Sequence, residues 1–136
     1  MITGINHITL SVTDLERSID FYVGILKFRQ VHRWNDGVYL EAGSLWLCLS
    51  LCESVGLRKD YSHLAFTVSS EDIDSLATKS EELGLLCWKE NKSEGNSFYL
   101  LDPDGHKLEL HDGSLLTRMA HIMSQTPMKR SRGCDA

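Results

Sequence analysis

The chain has 136 residues, 42% of them hydrophobic and 24% charged, the size and balance of a single globular domain with a core of its own. A net charge of -5 argues against nucleic acid as a partner, because phosphate contact is driven by clustered positive charge. No apolar run approaches the roughly 20 residues of a membrane span, and no basic and apolar leader precedes the first strand, so the expectation is a cytoplasmic protein without a membrane partner.

In chain order, Asn6-His7-Ile8-Thr9-Leu10-Ser11-Val12 alternates strictly, with Ile8, Leu10 and Val12 on one face and His7, Thr9 and Ser11 on the other. Thr13-Asp14-Leu15-Glu16 supplies a helix start, and Leu15, Ile19, Tyr22 and Leu26 form an apolar stripe up to Phe28. Strands are predicted at 28–34, 38–42 and 45–49, separated by Asn35-Asp36-Gly37 and Gly43-Ser44. Residues 51–61 read as a polar connector. Ser62-His63-Leu64-Ala65-Phe66-Thr67-Val68 then repeats the opening pattern, and Ser69-Ser70-Glu71-Asp72 starts a second helix with Ile73, Leu76 and Leu83 inward, ended by Gly84. Further strands are predicted at 85–89, 97–101 and 107–111, the last two joined by Asp102-Pro103-Asp104-Gly105.

The pattern is βαβββ, twice. It predicts an α+β domain over residues 1–124, with modules at 1–55 and 56–124, and a loose tail at 125–136. Cys48, Cys52, Cys87 and Cys134 lack CxxC spacing and are expected to be reduced, with Cys48 packed in its apolar strand.

Either His7 or His63 alone would read as an ordinary polar residue on a wet sheet face, but their duplication favours a metal site. Glu109, between Leu108 and Leu110, falls on the polar face of the last strand. By itself it would read as a solvated glutamate. Two imidazoles and a carboxylate together can hold a divalent first-row metal with coordination positions left open. Aligning Gly43 with Gly105 sets Leu47 opposite Glu109, so the first module lacks a matching carboxylate. His32, His106, His111 and His121 read as surface or loop residues.

The segment Trp88 to Tyr99 reads as an anion-binding loop. Lys89 and Lys92 can neutralise a phosphate-like group, Ser93, Ser97 and Tyr99 offer hydroxyls, and Arg118 can add a bidentate contact. Asn91, Ser93, Gly95 and Ser97 can also present oxygens to a hard cation. A solvated hairpin loop would have a similar composition.

The duplicated modules resemble the vicinal oxygen chelate superfamily. The strings His7-Ile8-Thr9-Leu10, Tyr39-Leu40-Glu41, Gly43 to Ser50, Asn91-Lys92-Ser93-Glu94-Gly95, Ser97-Phe98-Tyr99 and Asp102 to Glu109 are similar to those of FosA-type fosfomycin resistance proteins. That resemblance implies cupped mixed sheets and a domain-swapped homodimer. It also implies a glutathione transferase that opens the epoxide of fosfomycin with Mn²⁺ as Lewis acid and K⁺ as activator. In those terms His7, His63 and Glu109 would bind Mn²⁺, with His7 from one subunit and the other two from its partner. Thr9, Lys89, Ser93, Ser97, Tyr99 and Arg118 would bind the phosphonate, and Asn91, Ser93, Gly95 and Ser97 would bind K⁺. Tyr39 would assist thiol deprotonation, Thr9 would act beside it, and Trp34, Asp36, Tyr39, Trp46, Ser50 and Lys92 would line the glutathione channel. Asp36 departs from the amide residue the family pattern leads one to expect there.

Two other readings are compatible with the residues. One is a relative that uses water or another thiol, for which Asp36 or Glu41 would be the candidate bases. The other is a metal-free binding protein of the same fold.

Overall fold

The structure is a computed structural model that describes residues 1–125; the expected tail beyond Gln125, with Cys134, lies outside the described residues. It forms two compact units, Met1–Lys59 with Asp102–His106, and Asp60–Leu101 with the described residues from Lys107 onward.

The first unit contains β1 (Ile8–Val12), α1 (Leu15–Ile19) continued by a π-helical segment (Asp20–Ile25), β2 (Arg29–Trp34), β3 (Gly37–Ala42) and β4 (Leu45–Leu51). The second contains β5 (Leu64–Thr67), α2 (Ser70–Thr78), β6 (Leu86–Lys89), β7 (Ser97–Leu101), β8 (Lys107–His111) and α3 (Leu115–Ser124). Each unit holds one four-stranded mixed sheet, in the orders β1-β4-β3-β2 and β5-β8-β7-β6, with the first pair parallel and the rest antiparallel. The βαβββ duplication expected from the sequence is therefore present, and among the described residues no helix is long and apolar enough to cross a membrane.

The repetition extends to register. Ile8 pairs with Leu47 and Thr9 with Cys48, while Leu64 pairs with Leu108 and Ala65 with Glu109. Tyr39 faces Cys48 as Tyr99 faces Glu109, and Gly37 faces Ser50 as Ser97 faces His111. Even the irregularities match, one between Gln30 and His32 and one between Cys87 and Lys89. This corrects the glycine-based alignment: Cys48, not Leu47, occupies the position of Glu109. The turns differ by one residue in how they feed the strand, and strand pairing, not turn glycines, sets the face a side chain takes.

Core positions follow the alternation. Val12, Leu15, Phe21, Tyr22, Phe28, Val38, Leu40, Leu47 and Leu49 are buried in the first unit, and Ile73, Tyr99, Leu100, Leu108 and Leu110 in the second. The π-helical segment departs from the simple stripe. Its wider turn, closed by Leu26 N–H to Phe21 O at 3.1 Å, turns Phe21 as well as Tyr22 inward, their rings edge to face. Tyr22 Oη donates to Asp102 Oδ2 at 2.7 Å, and burial first, then the Asp102 charge, pushes the phenol's pKa up.

α2 begins where the capping residues indicated, with Ser69 Oγ accepting from Asp72 N–H, but it ends at Thr78 and turns through Gly84. Leu83, expected inward, is instead exposed beyond the helix. α3 had no counterpart in the sequence reading; a Ser114–Thr117 capping box starts it. Cys48 is buried, and it, Cys52 and Cys87 are free thiols.

Candidate functional site

In the second unit β5 and β8 lie side by side, which brings the histidine preceding β5 against the central glutamate of β8. His63 Nε2 stands 2.9 Å from Glu109 Oε1, and Glu109 is buried at 8% exposure, so it is no solvated surface glutamate. His63 Nδ1 lies 2.8 Å from the Tyr61 carbonyl oxygen, which can only accept, so the ring carries its hydrogen on Nδ1. The Nε2 and Oε1 lone pairs then face each other, an arrangement that requires a shared proton or a cation. That donor set fits a divalent metal, with the outer hydrogen bond to His63 supplying the orientation such ligands need.

Glu109 Oε2 accepts from Ser97 Oγ at 2.8 Å. Tyr99 is buried beside this pair; burial chiefly raises its phenol's pKa and the Glu109 charge adds to the rise, while a Ser93 hydrogen bond and Lys89 oppose it. Tyr99 therefore stays a neutral hydroxyl, a donor for an anionic ligand. Lys89 Nζ donates to Tyr61 Oη at 2.7 Å and stands over the Tyr61 and Tyr99 rings at 4.6 and 5.0 Å from their centroids. Tyr61 was assigned to a connector and its part was missed; the only sequence signal was an aromatic residue two before the histidine.

The loop after β6 folds on itself. Asn91 Oδ1 accepts from Ser93 N–H and Oγ, and Asn91 Nδ2 donates to the Gly95 carbonyl at 2.9 Å, with Gly95 at φ +77°. This gathers the oxygens of Asn91, Ser93 and Gly95, whereas Ser97 turns its hydroxyl to Glu109. Arg118 Nε donates to Glu94 Oε1 at 3.1 Å. His111 is not the surface residue expected: its side chain is 15% exposed, with Nδ1 2.6 Å from Ser97 Oγ. His106 is likewise engaged, its Nε2 2.7 Å from the Ser11 carbonyl.

His7 belongs to the first unit, where it and the other first-module residues form an aromatic row. Its ring lies 4.4 Å from Trp46 and its Nδ1 2.6 Å from Asn6 Oδ1. Trp46 meets Tyr39 at 5.3 Å and Tyr39 meets Trp34 at 4.7 Å, both edge to face. Trp34 and Trp46 are more than a third exposed, an accessible aromatic surface of the kind that binds ligands. Thr9 is exposed on β1, Ser50 lies on β4, and Asp36 sits in the β2–β3 turn, its carbonyl accepting from Leu51 N–H. Lys92 belongs to the second unit. Among the described residues no three His, Cys, Asp or Glu side chains are placed to hold a metal ion together, although His111 Nδ1 also comes within 3.6 Å of Glu109 Oε2; His63 and Glu109 are the candidate ligand pair.

A model of the Glyoxalase/Bleomycin resistance protein/Dioxygenase superfamily matches residues 4–110. The chain belongs to that superfamily. Within it, the chain is 50% identical over 124 residues to the glutathione transferase FosA of Serratia marcescens, with 88% of each protein covered. It is 35% identical to the metallothiol transferase FosB of Staphylococcus epidermidis, covering 93% of this chain and 96% of the other. A variant of the fosfomycin resistance protein FosX of Listeria monocytogenes, in complex with Mn(II) and a dihydroxypropylphosphonic acid, superposes with a TM-score of 0.80 at 31% identity, over 90% of this chain and 99% of that one. The FosA-type resemblance carried by the motifs is thereby borne out.

Proposed function

We propose that this protein is a metal-dependent glutathione transferase that inactivates fosfomycin in the cytoplasm, adding the glutathione sulfur to the epoxide carbon that bears the phosphonate. The observation that carries the reading is the His63–Glu109 pair, an imidazole nitrogen just ahead of β5 and a carboxylate oxygen on the adjoining β8 2.9 Å apart, near Lys89 and the Tyr99 hydroxyl. The 50% identity to a glutathione transferase supports the choice of thiol.

His63 and Glu109 would hold Mn²⁺, with His7, a residue of the first unit, supplied as the third ligand by a second copy of the chain in a swapped homodimer. Bound there, the metal would supply Lewis-acid stabilisation of the charge that develops on the epoxide oxygen. Lys89 neutralises the phosphonate, and Ser93, Tyr99, Thr9 and Arg118 orient it, so that the carbon faces the incoming sulfur. Ser97, whose hydrogen is spent on Glu109, contributes to the ligand site through its oxygen. K⁺ would sit among the Asn91, Ser93, Gly95 and Ser97 oxygens and add positive charge to an acidic chain. The aromatic row of Trp34, Tyr39 and Trp46, with Asp36, Ser50 and Lys92, would receive glutathione, and Tyr39 Oη would hydrogen-bond the thiol and assist the loss of its proton, which passes in balance to the released epoxide oxygen. The carbon–sulfur bond forms as the carbon–oxygen bond breaks, and the released oxygen gains a proton.

Water as the nucleophile is the second reading, favoured by the diol-type phosphonate bound to the FosX relative. Of the two candidate bases, Glu41 is engaged by Arg29 at 2.6 Å on an exposed strand, which weakens the case for water. Mass spectrometry of fosfomycin incubated with protein, Mn²⁺, K⁺ and glutathione separates the readings. A glutathione adduct is expected; a diol without adduct would replace transfer by hydrolysis, and unchanged substrate would leave a binding protein.

A further inference from the structure

β8 ends in a histidine that none of the roles above uses. His111 Nδ1 lies 2.6 Å from Ser97 Oγ and 3.1 Å from the Asn96 carbonyl oxygen. A carbonyl accepts only, so Nδ1 carries the hydrogen. Ser97 has one hydroxyl hydrogen, and the acceptor-only carboxylate of Glu109, 2.8 Å away, takes it. The chain of donation runs in one direction, from His111 Nδ1–H to Ser97 Oγ and from Ser97 Oγ–H to Glu109 Oε2. The ring is clamped for this: a Cβ on Gly113 would lie 2.5 Å from His111 Nε2, and one on Gly95 3.1 Å from its Cε1. Only glycines let backbone approach both edges this closely. Nε2 is 3.7 Å from Glu94 Oε1, too long for a hydrogen bond, and Glu94 is held by Arg118.

The duplication supplies a second, independent observation. In the first module the positions of Glu109, Ser97 and His111 are Cys48, Gly37 and Ser50. The half without the carboxylate has neither the Ser97 hydroxyl nor the His111 imidazole at the matching positions.

We propose that His111 is a positioning residue for Glu109: by donating to Ser97 it directs the Ser97 hydrogen onto Glu109 Oε2, and so presents Oε1 beside His63 Nε2 as a ligand of fixed orientation. This rests on the reading of Glu109 as a metal ligand. An outer-shell hydrogen bond of this kind typically accounts for 10–100-fold in metal affinity.

The test is Mn²⁺ binding to substrate-free protein by electron paramagnetic resonance titration, with ¹⁵N NMR of the imidazoles of the metal-free protein. His111→Ala is expected to weaken Mn²⁺ binding roughly tenfold. His111→Asn, which keeps an amide N–H near Nδ1, should regain most of the loss, and Ser97→Ala with His111→Ala should bind no more weakly than Ser97→Ala alone. The NMR should show the His111 hydrogen on Nδ1 in the neutral ring. Wild-type affinity in a folded His111→Ala, or the hydrogen on Nε2, would overturn the proposal. Should His111→Ala not fold, the NMR result and the Asn variant decide. Wild-type protein that binds Mn²⁺ but forms no adduct would sink the transferase reading alone; protein that binds no Mn²⁺ would sink the role of His111.

Discussion

Tyr22 donates to Asp102 Oδ2 from a buried position, while Asp102 Oδ1 accepts from the Asp104 and His106 N–H groups. Tyr22→Phe leaves Oδ2 without its donor and is expected to cost about 1–2 kcal/mol in denaturant unfolding. The raised folded pKa fixes the sign of the pH effect. Stability is intact below the free phenol's ordinary value of about 10 and declines as pH rises past it, because the unfolded chain releases the proton first. The Phe variant should show a shallower alkaline decline; an identical decline would contradict this assignment. Asp36 makes a prediction at the same scale. In the proposed channel its carboxylate would oppose the carboxylates of glutathione, so Asp36→Asn is expected to lower the KM for glutathione severalfold at low salt and less at high salt, where screening removes the repulsion. An unchanged KM at both would remove Asp36 from the channel.

At the scale of elements, the β2–β3 hairpin controls the aromatic row. A Cβ on Gly37 would come within 2.5 Å of Trp34 Cζ2 and 2.8 Å of the Leu49 carbonyl oxygen, and the latter is backbone that cannot swing aside. Gly37→Ala should therefore lower stability by about 1–3 kcal/mol in chemical denaturation and displace Trp34. A variant of wild-type stability would show that the turn yields more readily than its packing implies. The strands themselves were legible because period-two alternation reports burial directly, and Ser97–Leu101 and Lys107–His111 appear with the bounds the pattern indicated. Register was not, because turn glycines do not say which residue faces which. That is why Leu47 stood in for Cys48. The π-helical turn and the early end of α2 were hidden for a similar reason: a 3.6-residue stripe cannot register a local change of winding. α3 carried a signal, the Ser114–Thr117 capping pair with apolar Leu115, Leu116, Met119 and Met123, but those apolar residues remain exposed and the core gave no reason to expect them.

At the scale of the whole molecule, the internal repetition of the βαβββ module explains why the candidate site was visible at all. One histidine per module marked both halves, and Glu109 marked the half that differs. His111 and Tyr61 were not legible, since their parts depend on contacts that sequence spacing does not encode, a hydroxyl on the neighbouring strand in one case and a lysine 28 residues on in the other. The division of His7 from His63 and Glu109 between units also yields a prediction. If copies exchange halves of the site, mixing His7→Ala with Glu109→Ala protein restores one intact site in each mixed dimer, about a quarter of wild-type activity after random exchange. No recovery on mixing would place all three ligands within one chain.

The central claim is that Glu109, paired with His63, converts fosfomycin to a glutathione adduct. Phosphorus NMR of fosfomycin with purified protein, Mn²⁺, K⁺ and glutathione tests it most directly, with wild type and Glu109→Ala run side by side. The account predicts a new adduct resonance with wild type and none with the variant; adduct formation by Glu109→Ala at the wild-type rate would contradict it.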